Sequence, residues 1–165
     1  MKLRCIFLLS ALCGGAFAQS ATVVRWRGMA GVITAPGINN PVADIASGAG
    51  PWTVQSGNAR INLTTGEGSF EVDGLVLNGG ASTGTRGGVA TVIGTFVCNP
   101  GGTGGAETIV DTPQANLSVA GDAELSFKVT VPQSCSSPLF LIRVPPAGRW
   151  IATGTRPAVG SSVQY

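Results

Sequence analysis

Residues 123–131 read AELSFKVTV, so that an apolar side chain at every odd position alternates with a polar one at every even position. A repeat of two residues places all the apolar side chains on one face of an extended chain and leaves the other face in water. Strands that are buried on one face only are typical of antiparallel sheets. This segment therefore predicts a strand of an antiparallel sheet packed on a core.

The segments upstream of this strand carry similar signals. Residues 60–64 and 70–73 alternate in the same way on either side of the turn-rich sequence 65–68, and this arrangement predicts a β-hairpin. Residues 89–98 are apolar on both faces, as expected of a central strand. Further strands are predicted at 22–27, 31–34, 108–110, 115–119, 139–144 and 150–153.

The predicted strands are separated by clusters of Gly, Pro, Asn and Ser. One segment, 41–47, carries helix signals, with Asn40 as a cap, Pro41 at the first position and Gly48 after the end. We therefore predict an all-β fold, an antiparallel two-sheet sandwich that is immunoglobulin-like or jelly-roll-like, with about 9–10 short strands and at most one short helix. A small closed barrel is the alternative architecture.

The first 18 residues have the layout of a secretory signal. Lys2 and Arg4 precede a short apolar run, and small residues lead to a cleavage site after Ala18. The run is shorter than the roughly 20 residues that span a bilayer. The sequence therefore predicts cleavage of residues 1–18, a secreted or periplasmic location, no transmembrane anchor in the mature chain, and one β-sandwich domain over 19–165.

The charge balance changes when this signal is removed. The whole chain has 10 basic and 8 acidic residues, and Lys2 and Arg4 belong to the signal. The mature chain, 165 minus 18 or 147 residues, is formally neutral with 8 of each. Because no basic cluster remains, nucleic acid is not expected as a partner.

Two cysteines, Cys98 and Cys135, remain in the mature chain. An even number of cysteines in an exported protein predicts a disulfide. The strand phase turns Cys98 to the same side as Phe96, so the bridge is expected in the core. There is no CxxC spacing and no histidine to complete a metal site, and no metal or cofactor is expected.

The absence of histidine also removes the usual general base and the Ser-His and Cys-His nucleophile systems. Carboxylates remain, and Glu71 with Asp73 forms an acid pair at i and i+2, as Asp122 with Glu124 does. Such a pair could act on a glycosidic bond. Their place on a predicted wet face favours a solubilising surface instead. Glu107 and Asp111 are further candidates for the same chemistry.

Three residues are candidates for ligand binding: Trp52, Trp150 and Arg86. An exposed indole can stack on a sugar ring, and an arginine at a loop tip can contact an anion. The core interpretation is favoured for each tryptophan, because tryptophan is highly buried on average. Trp26 lies between two arginines and is expected in the core.

Asn62 and Asn116 each begin an N-x-S/T triplet on a predicted outward face, so both are glycosylation sites if the source is a eukaryote. The sequence favours an exported non-catalytic domain that acts in binding, adhesion or envelope structure, with a carbohydrate or another protein as partner. The alternatives are a carboxylate-dependent carbohydrate hydrolase and a secreted inhibitor or protein-binding module.

Overall fold

The computed structural model describes residues 22–35, 37–146 and 148–156. The predicted signal peptide and its cleavage site lie outside these ranges. Eleven strands lie within them, together with one short 3-10 helix at Pro100–Gly102. The strands are β1 (Val23–Trp26), β2 (Gly28–Gly31), β3 (Trp52–Thr53), β4 (Ser56–Asn62), β5 (Glu67–Asp73), β6 (Val76–Leu77), β7 (Thr91–Cys98), β8 (Thr108–Asn116), β9 (Ala123–Lys128), β10 (Leu139–Val144) and β11 (Arg149–Thr155).

Two antiparallel sheets pack face to face. The four-stranded sheet has the order β1-β4-β5-β9, and the five-stranded sheet has the order β2-β11-β10-β7-β8. The chain passes from one sheet to the other at Arg27, between β1 and β2. A third, two-stranded sheet pairs β3 with β6. The predicted all-β two-sheet sandwich is confirmed.

The alternating sequence that predicted a one-sided strand forms β9. Ala123 and Phe127 are buried, whereas Glu124, Ser126 and Lys128 are exposed. The predicted hairpin is β4 and β5, and the apolar segment from 89 forms β7, which is central because it pairs with β10 and β8. Side-chain periodicity was sufficient here because β9 buries one face only, whereas β7 is paired on both edges and buries most of its side chains.

Five aromatic side chains form the centre of the core between the sheets. Their ring centroids lie 5.1–5.8 Å apart and the rings are tilted to each other, within the range that aromatic pairs favour. Trp26 is 1 % exposed, as predicted from its position between two exposed arginines. The residues of the cluster are Trp26, Phe70, Phe96, Phe127 and Phe140.

The predicted cysteine pair lies at the C-terminal end of β7, whose first residue is Thr91 and whose last is Cys98. The sulfur atoms of Cys98 and Cys135 are at bonding distance, with the Cα atoms 4.6 Å apart, and Cys98 is 1 % exposed. The next residue, Asn99, donates from Nδ2 to the carbonyls of Ala106 and Ser134 and accepts at Oδ1 from the Ser136 N–H. The disulfide and this amide together fasten two loops to one strand end.

The helix predicted at 41–47 is wrong. Val42 and Ile45 exchange two backbone hydrogen bonds, and between them Ala43 and Asp44 have φ values of 50° and 58°. Left-handed φ at both central residues is the geometry of a tight two-residue hairpin turn. Asn40 does not cap a helix. Its carbonyl accepts a hydrogen bond from the Trp150 indole, so contacts with β11 outweigh the local helix signal.

Three strand boundaries also differ from the prediction. The strand expected at 31–34 ends at Gly31, where an added Cβ would collide with the Trp52 carbonyl. The segment at 108–110 and the first two residues of the segment at 115–119 belong to one long strand, β8, which has an irregularity in its pairing with β7. No helix in the described ranges has the length and apolar character needed to cross a bilayer.

Candidate functional site

A pocket of about 280 Å³ lies where the β3–β6 sheet meets the five-stranded sheet, and two of the sequence-predicted ligand residues line it. These two are Trp52 and Arg86. We call it the arginine-rimmed pocket, because its lining combines Arg86 and Arg149 with a mainly apolar wall. The large apolar residues of that wall are Trp52, Leu77, Val89, Val144 and Ile151.

The short pairing of β3 with β6 positions the first two of these side chains. Trp52 is the cross-strand partner of Leu77, and its backbone N–H donates to the Val32 carbonyl at 2.9 Å. The close approach of the backbones at Gly31 allows this contact, since any larger residue would meet the Trp52 carbonyl. Trp52 is 6 % exposed, so its indole forms part of the wall rather than a projecting platform.

A bulge brings the five-stranded sheet into the pocket. Ile142 pairs with Ala152 but Arg143 pairs with Trp150, so Ile151 is the extra residue of β11. A bulge changes the direction in which nearby side chains project. Ile151 and Val144 consequently line the same cavity, although strict alternation along β11 does not predict it.

Each rim arginine is held by a backbone carbonyl. Arg86 donates from Nη1 to the Val89 carbonyl at 2.6 Å, and Arg149 donates from Nη1 to the Ser47 carbonyl at 2.9 Å. A guanidinium has five N–H donors, so each of these bonds leaves most of the donors of its arginine available. Ser47 is itself buried in a hydrogen-bonded loop, which fixes the carbonyl that Arg149 contacts.

The pocket lining contains two cationic side chains and no carboxylate. The ion pairs between described residues join Lys128 to Glu67 and Arg143 to Asp111, so neither Arg86 nor Arg149 takes part in them. The lining therefore combines two arginine side chains with a mainly apolar wall, a combination that is chemically suited to an anionic group attached to a hydrocarbon.

The acid pair predicted from the sequence lies elsewhere, on the outer face of the four-stranded sheet. Glu71 accepts a hydrogen bond from Asn58 Nδ2 at 3.3 Å, and Asp73 accepts one from Ser56 Oγ at 2.6 Å. Glu124 is the cross-strand partner of Glu71. Together with Asp122, these acids line a shallow cavity of about 310 Å³ that has no aromatic side chain among its lining residues.

The other two acidic candidates are Asp111, in β8 of the five-stranded sheet, and Glu107, in the loop just before that strand. Asp111 accepts hydrogen bonds from Arg143 at 3.0 Å and from Thr95 Oγ1 at 2.6 Å, and Glu107 accepts one from the Gly101 N–H at 2.8 Å. The fold thus brings Glu71 and Asp73 together with the second acid pair but not with Glu107 or Asp111. No group of three or more Asp, Glu, Cys or His side chains in the described ranges is arranged to hold a metal ion.

The remaining sequence candidates have structural surroundings of their own. Trp150 is 7 % exposed, and its indole N–H donates to the Asn40 carbonyl at 2.8 Å, so it fastens the loop that precedes β3. Asn62 uses Oδ1 to accept the N–H groups of Thr64 and Thr65 in the hairpin turn. Asn116 is exposed at the end of β8.

Sequence reasoning did not identify Arg149 or Leu77 as parts of this site. The only local sequence signal for Arg149 is the adjacent Trp150, which is itself one of the aromatic candidates for ligand binding. The fold and the pocket define a β-sandwich protein with an arginine-rimmed apolar cavity. Comparison of the chain with protein-family models, with curated proteins and with solved structures found no match.

Proposed function

We propose that this protein is an exported, non-catalytic binding domain whose ligand occupies the arginine-rimmed pocket. The supporting observation is the joint presence of an apolar wall and two arginines, Arg86 and Arg149, in one cavity. Small-molecule sites are concave and mostly apolar, with a few polar groups that fix orientation. A volume of about 280 Å³ corresponds to a small ligand, since such sites usually range from about 300 to 1,000 Å³.

The chemistry of the lining supports binding rather than turnover. The described lining residues are Gly, Ala, Trp, Leu, Val, Ile and Arg, and none supplies a nucleophile or a side chain that exchanges protons near neutral pH. A ligand in this pocket would be held and released unchanged.

Ligand screening by amide and indole NMR tests the proposal on the oxidised mature chain. We expect ligands from a panel of small molecules and glycans to shift the Trp52 indole signal without being chemically altered. Gly50→Leu should weaken this binding at least about 10-fold, because an added Cβ at Gly50 has only Leu77 Cδ2 near it, at 4.0 Å, and the side chain would occupy the cavity.

The matched control is Ala81→Leu, which adds the same side chain at an exposed position in the loop that precedes Arg86. This variant should bind as the wild type does. Equal affinity of Gly50→Leu and the wild type would contradict the proposal. Intact mass of the exported protein tests the location separately, since export predicts a chain that begins at Gln19.

The hydrolase remains a second candidate because Glu71 and Glu124 face each other across β5 and β9. Directly opposite residues on paired strands project to the same face of the sheet, and glycosidases use two carboxyl groups that flank the bond they cleave. Release of reducing ends from a polysaccharide panel, abolished in both Glu71→Gln and Glu124→Gln, would support this candidate. Binding at the pocket without release of product would support the binding domain.

A further inference from the structure

We propose that the pocket ligand is a small organic carboxylate with a compact hydrocarbon body. This inference rests on the proposed function and specifies its ligand. The hydrocarbon would contact Trp52 and Ile151, and the carboxylate would pair with the guanidinium groups of Arg86 and Arg149 at the rim.

The volume of the cavity limits the size of the hydrocarbon. A water molecule occupies about 30 Å³ in the liquid, so a cavity of about 280 Å³ has the volume of about nine waters. That volume corresponds to a ligand of about ten non-hydrogen atoms, such as an aryl acetate or a medium-length branched acid. Leu77 from β6 and Val144 from β10 both line the cavity and would contact such a body.

The state of the two arginines favours a carboxylate. Each guanidinium is already oriented by one hydrogen bond to a backbone carbonyl, to Val89 for Arg86 and to Ser47 for Arg149. Binding therefore immobilises less side-chain freedom than it would with two free arginines. The planar donor fork of a guanidinium matches the two oxygens of a carboxylate, and no carboxylate in the pocket lining competes for it.

Trp52 provides a further polar atom at the same wall. Among hydrogen bonds between described residues, none uses the Trp52 indole N–H, and no side-chain nitrogen or oxygen of those residues is both buried and unpartnered. An added Cβ at Gly48, which also lines the pocket, would lie 3.5 Å from Nε1, so this donor is adjacent to the cavity.

Three probes of similar size test the charge preference: phenylacetate, phenylacetamide and phenethylamine. All contain one phenyl ring and a short arm, and they differ in carrying a negative, zero or positive charge. We expect phenylacetate to bind at least about 10-fold more tightly than phenylacetamide, because hydrogen bonds to charged groups are the stronger ones. Phenethylamine should bind more weakly still, and added salt should weaken phenylacetate binding.

Single variants then assign the charge recognition to the rim. Arg86→Gln and Arg149→Gln should each weaken phenylacetate binding about 10-fold or more and leave phenylacetamide binding within about 2-fold. Arg25→Gln is the matched control, because it removes an exposed arginine from the other sheet and should leave both affinities unchanged. Circular dichroism melts of the variants confirm that each is folded under the binding conditions.

The outcomes separate this inference from the proposed function. Two outcomes overturn the carboxylate assignment but leave the proposed binding pocket supported. The first is equal affinity for phenylacetate and phenylacetamide at a site that contains Trp52. The second is no saturable binding of phenylacetate when other ligands of the screen do bind there. If no ligand of the screen shifts the Trp52 indole signal, both the inference and the proposed function fail.

Discussion

Reduction of the Cys98–Cys135 bridge should lower the free energy of unfolding by about 4 kcal/mol. The bond joins residues that are 37 positions apart, and the loss of loop-closure entropy for a closed loop of that length gives this value at 25 °C. The effect acts mainly on the unfolded chain, which gains freedom when the loop opens. Urea unfolding with and without a phosphine reductant measures it without changing any side chain.

The expected shift in the urea midpoint is large. For a slope of about 1–3 kcal/mol per molar urea, a loss of about 4 kcal/mol lowers the midpoint by about 1.3–4 M. The double variant Cys98→Ala, Cys135→Ala is the control. It should match the reduced wild type within about 1 kcal/mol, and the reductant should not affect it further.

The position of the bridge adds a second expectation. Cys98 ends β7, whereas the arginine-rimmed pocket lies beyond the start of that strand, near Val89. Eight residues of β7 extend over about 23 Å at about 3.3 Å per residue, so reduction should leave ligand affinity at the pocket unchanged in protein that is still folded. A loss below about 1 kcal/mol in the free energy of unfolding on reduction would refute the conclusion that this disulfide stabilises the end of β7.

Two other residues should affect separate parts of the fold. Asn99→Ala should lower the free energy of unfolding in urea by about 3 kcal/mol, because it removes three hydrogen bonds from a residue with φ of 54°. Asn99→Gly tolerates that φ and should recover only part of the loss. A cost below about 1 kcal/mol for Asn99→Ala would contradict this expectation. Trp150→Phe removes the hydrogen-bond donor to the Asn40 carbonyl. Amide hydrogen exchange at Ser47, in the same loop, should then accelerate at least about 5-fold while exchange in β7 stays slow. Unchanged protection at Ser47 would show that the loop is held without this bond.

Much of the sandwich could be predicted from residue order, because its strands are half-buried and their patterns are local. The period of two at 123–131 gave β9 and its buried face, and the two-sided apolar run gave central strand β7. Strands β3 and β6 were missed because each has only two residues, too few to establish a period. The segment 41–47 was assigned wrongly, because contacts of Asn40 and Ser47 with β11 outweighed its cap and proline signals.

The sequence by itself determined the alternation that makes this chain an antiparallel sandwich, the inward phase of Cys98, and the absence of a histidine. These features depend on residue type and spacing along the chain. Only the tertiary structure decided that Trp52 and Arg86 share a cavity with Arg149, because these residues come from a short strand, a loop and a bulged strand that are distant in sequence. Their proximity depends on the close backbone approach at Gly31 and on the extra residue Ile151, and strand periodicity encodes neither.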